Sequence, residues 1–232
     1  EGGHLRKFLK TGRPVVLIDR KIQGAGCDSV LVDNEKAAED AMDLFFANGH
    51  RTIGIIGGPE EISTAQERLS GYRKAFEKHG VPFCESLICR GDYTIQGGVR
   101  GLETLVKNNP DMTAVFVTNY EMTMGAVIGL NELGIQVPDQ LSVIGFDNLQ
   151  FARACSPKLT IVSQPPVEIA REAAGLMLKR LEGGEDTGAY VTKKLNTEII
   201  AGRSVRCVAG QEPGTPDGES RRDPADTDGW SI

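Results

Sequence analysis

Histidine, aromatic side chains and patterned cysteine are all scarce in this chain, and each scarcity closes a route to function. The three histidines, His4, His50 and His79, are scattered, and the last two each sit beside a glycine at a segment end, so no metal site is expected. The five cysteines, Cys27, Cys84, Cys89, Cys155 and Cys207, form no Cys-x-x-Cys pair. An odd count in a chain of 232 residues does not suggest a disulfide framework; it reads as reduced thiols in a cytoplasmic protein. No apolar run approaches the ~20 residues that a membrane helix needs. The opening Glu1-Gly2-Gly3-His4 has no apolar signal core, so nothing argues for secretion. The glycine-rich Gly54-Ile55-Ile56-Gly57-Gly58-Pro59 fits neither phosphate-loop pattern and reads as a tight strand-to-helix turn. The hydrolase elbow, the zinc-protease helix and the calcium loop are also missing, so neither catalysis nor a cofactor is expected. Lys and Arg total 26 against 32 Asp and Glu, a net charge of −6, which lacks the bulk positive field of a stand-alone nucleic-acid binder.

What remains is ordinary globular composition, 40% hydrophobic and 25% charged, in a length that allows one or two domains. Short β-branched runs alternate with helix-period segments. Strands are expected at Val15–Ile18, Ser29–Val32, Thr52–Gly58, Ala114–Val117 and Leu141–Phe146, with a weak one at Ser86–Cys89. Asp33 or Asn34 caps a helix carrying Ala38, Ala41, Met42 and Phe45. Thr64 with Glu67 offers a capping box for the next, which buries Leu69, Tyr72 and Phe76. Further helices are expected from about Thr94, from about Glu121 to Gly134, and from Pro165-Pro166, the last with Ile169, Ala173, Leu176, Met177 and Leu181 inward. Continuous apolar strands alternating with amphipathic helices predict an α/β fold with a mostly parallel sheet and helices on both faces. Residues 208–232 are rich in Gly, Pro and charge, and are expected to form a disordered tail.

Ligands of open α/β sheets bind at the C-terminal ends of the strands. Polar residues recur there: Asp19 after the first strand, Asn119 after Ala114–Thr118, Asp147 after Leu141–Phe146, and Gln164 after Leu159–Ser163. Arg68 lies one turn into the helix after the glycine turn. Together they suit a polyhydroxylated or heterocyclic ligand, although strand-end Asp and Asn also serve as caps and turn formers.

Five ordered segments carry a resemblance. They are Asn48 to Pro59, Glu67 to Tyr72, Val117 to Met122, Val137 to Asn148 and Ser156 to Pro165, within a similarity running from about residue 5 to about residue 207. The chain resembles the effector-binding domain of the lactose-repressor (LacI/GalR) family of bacterial transcription regulators. That resemblance implies a periplasmic-binding-protein-like fold, two parallel-sheet subdomains closing on a small molecule, here with the first subdomain incomplete. The implied division is 1–32 with 164–192 as the partial N-terminal subdomain and 33–163 with 193–207 as the C-terminal one. The implied cleft uses Asp19 from one side and Arg68, Asn119 and Asp147 from the other, with Gln164 on a crossing; Tyr93 falls where an aromatic stacks on the ligand ring, and Thr64 is a weaker member. A homodimer is implied, with a sugar or nucleoside-like effector, no membrane partner, and operator DNA read only through a helix-turn-helix that does not precede Glu1 here. The alternative is a periplasmic sugar-binding protein of a transporter, which shares the fold.

Overall fold

The computed structural model describes residues 3–22, 24–183 and 189–208. The elements run α1 (Gly3–Leu9), β1 (Val16–Ile18), β2 (Asp28–Val32), α2 (Asn34–Ala47), β3 (Ile53–Gly57), α3 (Ser63–Lys78), β4 (Ile88–Arg90), α4 (Ile95–Asn108), β5 (Ala114–Val117), α5 (Tyr120–Leu133), β6 (Ser142–Phe146), α6 (Leu149–Ala154), β7 (Thr160–Ser163), α7 (Pro166–Leu181), β8 (Thr192–Leu195) and β9 (Glu198–Ile200). They build two sheets. The smaller has the order β1-β2-β8, all parallel; the larger has the order β4-β3-β5-β6-β7-β9, parallel except for β9.

The larger sheet is sandwiched. On one face α2 and α3 bury Phe45, Phe46, Tyr72 and Phe76 against Ile53, Phe116 and Ile144. On the other, Leu102, Leu105, Met122 and Ala126 from α4 and α5 cover Ile56, Val115 and Val143. Strands β2, β3, β5 and β6 are buried at every position. This is the burial pattern of parallel strands covered on both faces.

Of the two expected caps of α2, Asp33 takes the position, its side chain accepting from the Lys36 N–H. Two other expectations need correction. The expected capping box at α3 does not form: the N-cap is Ile62, and Thr64 lies buried inside the helix. Glu67 instead accepts from Asn34 Nδ2 at 2.9 Å, which uses the carboxylate the box required. Finally, β8 pairs with β2 from Ser29↔Thr192 to Val32↔Leu195, so residues 193–195 belong to the smaller sheet. The chain crosses between sheets after Leu195, beyond the expected boundary at 192/193.

Asp28 anchors the smaller sheet. Its buried carboxylate accepts from Arg180 Nε at 2.8 Å, Arg180 Nη2 at 2.9 Å and the Val191 N–H at 2.8 Å. These contacts tie β2 to α7 and to the approach to β8, and they hold the Asp28 carboxyl below its ordinary range. The α7 helix packs on β1 and β2, yet only Leu176 is buried. Ile169, Ala173 and Met177 are half-covered, but Leu181, expected inward, is 63% exposed and joins Val167 at 71% and Leu178 at 55% on the outer face, because the helix ends past the edge of β1 and β2 that Leu176 covers. Of the expected tail, Val208 is held by a backbone bond from its N–H to the Asn48 carbonyl, and residues 209–232 lie outside the described part.

Candidate functional site

Four non-glycine residues have a left-handed backbone among the described residues: Asp19 (φ 66°), Tyr93 (φ 61°), Asp147 (φ 60°) and Asn148 (φ 49°). Such conformations cost about 1–3 kcal/mol each and persist where the surroundings impose them. Here they gather where β1, β4 and β6 end. Asp19 and Asp147 are counterparts in the two sheets. The Asp19 N–H still bonds the Val30 carbonyl of β2 at 3.1 Å, and the Asp147 N–H bonds the Val162 carbonyl of β7 at 2.7 Å. Each is thus the last rung of its parallel ladder, after which the chain turns sharply.

A cavity of about 660 Å³ joins the ends of β1 and β6; the end of β4, with Tyr93, is not part of its lining. It is lined by Ile18 and Asp19 from the smaller sheet, Asp147 and Asn148 from the larger, Gln164 on the crossing, and Ile169 at the start of α7. Volume and mixed lining suit a small organic molecule. Gln164 Nε2 donates to Asp147 Oδ2 at 2.8 Å, and the Gln164 N–H to Oδ1 at 3.4 Å. Burial pushes the Asp147 carboxyl up, and Gln164 and Arg68 pull it back.

Arg68 is the best-held side chain of the set. Its Nε donates to Asn34 Oδ1 at 2.9 Å, its Nη1 to the Thr118 carbonyl, and its guanidinium lies 3.8 Å from the centroid of the Phe146 ring. Asn34 is itself fixed, donating to Glu67 and to the Val32 carbonyl. Burial lowers the Arg68 pKa, and Tyr93, Asp147, Asp19 and Glu67 oppose that shift. Arg68 is not among the residues that line the cavity; two of its donor atoms are engaged within the larger-sheet half, and the charges of Asp147 and Asp19 act on its guanidinium.

Tyr93 lies against Gly58, where a Cβ would overlap the tyrosine ring. Its hydroxyl is buried and without a hydrogen-bond partner among the described residues. This gives a two-signed prediction. Tyr93→Phe removes a buried unsatisfied hydroxyl and is expected to raise stability by about 1 kcal/mol in chemical denaturation. The same change is expected to weaken binding of a ligand that partners the hydroxyl. Stability lost and affinity unchanged would contradict both halves.

The other two expected residues are placed differently. Asn119 caps α5: its Oδ1 accepts from the Met122 N–H at 3.0 Å and its Nδ2 donates to Glu121 at 2.8 Å. Thr64 is buried in the first turn of α3, one turn from Arg68. Sequence reasoning missed Asn34 and Phe146, which hold Arg68, and Asn148, which caps α6. The adjacent Asp33-Asn34 pair was the available signal, since only one of them can occupy the cap. Among the described residues no cluster of His, Cys, Asp and Glu could hold a metal ion, and no helix is long and apolar enough to cross a membrane.

Known proteins resemble this chain in sequence and fold. A model of the periplasmic binding protein-like domain matches residues 42–205. The transcriptional repressor CytR of Escherichia coli is 36% identical over 195 residues, 84% of this chain and 57% of that protein. Catabolite control protein A of Priestia megaterium is 34% identical over 177 residues, 76% of this chain and 53% of that protein. The chain therefore spans about half the length of the curated relatives it matches. A LacI-family regulator from Enterococcus faecium, solved with bound ribose, superposes with a TM-score of 0.79 at 27% identity, covering 88% of this chain and 74% of that one. The matched residues, the two-sheet architecture and these likenesses agree, and the chain belongs to the periplasmic binding protein-like domain family, in the form carried by lactose-repressor-type regulators.

Proposed function

We propose that this chain is the effector-sensing domain of a bacterial transcription regulator. A small neutral polyhydroxylated molecule, a sugar or a nucleoside, binds between the two sheets, and its binding changes the operator affinity of the whole protein. One observation carries the reading: Asp19 and Asp147, from different sheets and both in left-handed turns, line one cavity together with Gln164. Carboxylates accept from hydroxyls, the Gln164 amide both donates and accepts, and Ile18 and Ile169 can cover an apolar ring face. A ligand touching both sheets favours a closed arrangement only by its differential affinity for that state, which is how sensing couples to a second site. Arg68, Tyr93, Asn119 and Thr64 complete the proposed set.

The repressor relatives support a regulator over the alternative of a transporter's binding protein, and they support a binding role over an enzymatic one; a cytoplasmic location and a homodimer are part of the same proposal. A melting-temperature screen of the full chain against pentoses, hexoses, disaccharides and nucleosides tests the reading. A stabilising hit is expected among them, because a ligand at about 100 times its dissociation constant adds about 2.7 kcal/mol. A panel without any hit, alongside stabilisation by an unrelated class such as fatty acids, would overturn it.

A further inference from the structure

A second cavity, of about 610 Å³, lies at the opposite edge of the larger sheet, where β6 and β7 begin and β9 has ended. It shares no lining residue with the cleft. Its charged residues are all cationic: Arg153 from the last turn of α6, Lys158 from the turn before β7, and Arg203 from the segment after β9. The Ser156 hydroxyl joins them, and no carboxylate lines the space. All three cations are exposed, and none takes part in an ion pair among the described residues.

The main chain holds together the segments that carry these charges. The Arg203 N–H donates to the Lys158 carbonyl at 2.7 Å, and the Leu159 N–H donates to the Ala152 carbonyl at 3.0 Å. Gly202 sits so close to Leu159 that a Cβ would overlap its carbonyl group, so the segment after β9 is seated on the turn before β7. Like charges fixed near one another repel, and a nearby acid ordinarily offsets this. Here none does. Arg153 has a second account, as a cation at the C-terminal end of a helix. That account does not reach Lys158 or Arg203.

We infer that this cavity binds the phosphate group of a small phosphorylated molecule, at a site separate from the effector cleft. Two arginine forks and an ammonium suit a compact dianion, since guanidinium engages phosphate oxygens bidentately and lysine adds a point charge. The volume leaves room for an attached group of sugar size.

The test is nuclear magnetic resonance titration of the isotope-labelled full chain with inorganic phosphate, with glucose 6-phosphate, and with glucose as the uncharged control. Saturable shifts are expected at the amides of Arg153 to Lys158 and of Gly202 and Arg203 with both phosphate compounds and not with glucose. Tighter binding of the ester assigns the site to a phosphorylated metabolite, and equal affinity assigns it to phosphate itself. The triple variant Arg153→Gln, Lys158→Gln, Arg203→Gln is expected to weaken both by about tenfold or more while leaving binding of a cleft ligand unchanged. Non-saturating shifts, shifts located in the cleft, or full affinity in a folded triple variant would overturn the inference. The outcome is independent of the effector reading, because the two sites share no residue.

Discussion

Arg68→Ala is expected to weaken effector binding and to destabilise the unliganded chain. The side chain is 4% exposed, and its loss strands Asn34 Oδ1 and the Thr118 carbonyl while uncovering the Phe146 ring. Each buried polar group left unpaired costs about 1–3 kcal/mol, and the missing contact over Phe146 adds to that. A loss of about 3 kcal/mol is therefore expected in urea denaturation. In calorimetry with the strongest sugar or nucleoside from the screen, affinity is expected to fall roughly 10- to 150-fold, the equivalent of one charge-assisted contact of about 1.5–3 kcal/mol. Asp147→Ala separates the two effects, because its carboxylate is raised by burial and contributes less to folding. It is expected to lose affinity to a similar extent with little loss of stability. Unchanged affinity in both variants would sink the site assignment.

The second large effect is on stability against pH, and it comes from His50. The ring is fully buried. Its Nδ1 lies 2.9 Å from Thr113 Oγ1 and its Nε2 lies 3.0 Å from the Arg206 carbonyl, so the neutral ring donates through Nε2 and accepts through Nδ1. Burial pushes its pKa down from 6.5 to about 4. The folded chain therefore favours the neutral ring, and that stabilisation is complete above the unfolded pKa near 6.5. It is lost as pH falls toward 4, where both states become protonated, and the total is about 3 kcal/mol. Asp147, with its raised pKa, acts with the opposite sign. The carboxylates lowered by partners, such as Asp28 and Asp43, act lower down the pH scale. Comparison with His50→Gln isolates the histidine: the parent is expected to lose stability between pH 6.5 and 4, and the variant to show a much flatter profile there. Parallel profiles would contradict this.

The larger sheet was legible because its signal is simple. Ala114-Val115-Phe116-Val117 has no polar position, and a strand buried on both faces leaves that mark. By contrast Thr192-Lys193-Lys194-Leu195 in β8 is partly exposed and lysine-rich, and its pairing with β2 comes from position in the chain rather than from composition. The six-residue α6 is too short to show a period. On α7 the sequence offers two apolar stripes, and the one that faces β1 and β2 leaves Arg180 placed to donate to Asp28, a tertiary contact the period does not encode. In the cleft, Asp19, Asp147 and Gln164 were visible as polar residues closing apolar runs. Asn119 gives the same signal, yet both atoms of its side-chain amide are engaged locally at the start of α5. Asn34 and Phe146 were invisible as site residues, because their importance depends on the route Arg68 takes through the interior.

Hydrogen–deuterium exchange of the full chain, with and without the screen's strongest sugar or nucleoside, tests the central claim most directly. A ligand held between the two sheets must protect both sides at once. Slower exchange is expected near Asp19, from Asp147 to Gln150, and from Gln164 to Ala170, the segments that line the cavity. Protection confined to one sheet, or located away from these segments, would contradict the claim that this chain senses its effector between them.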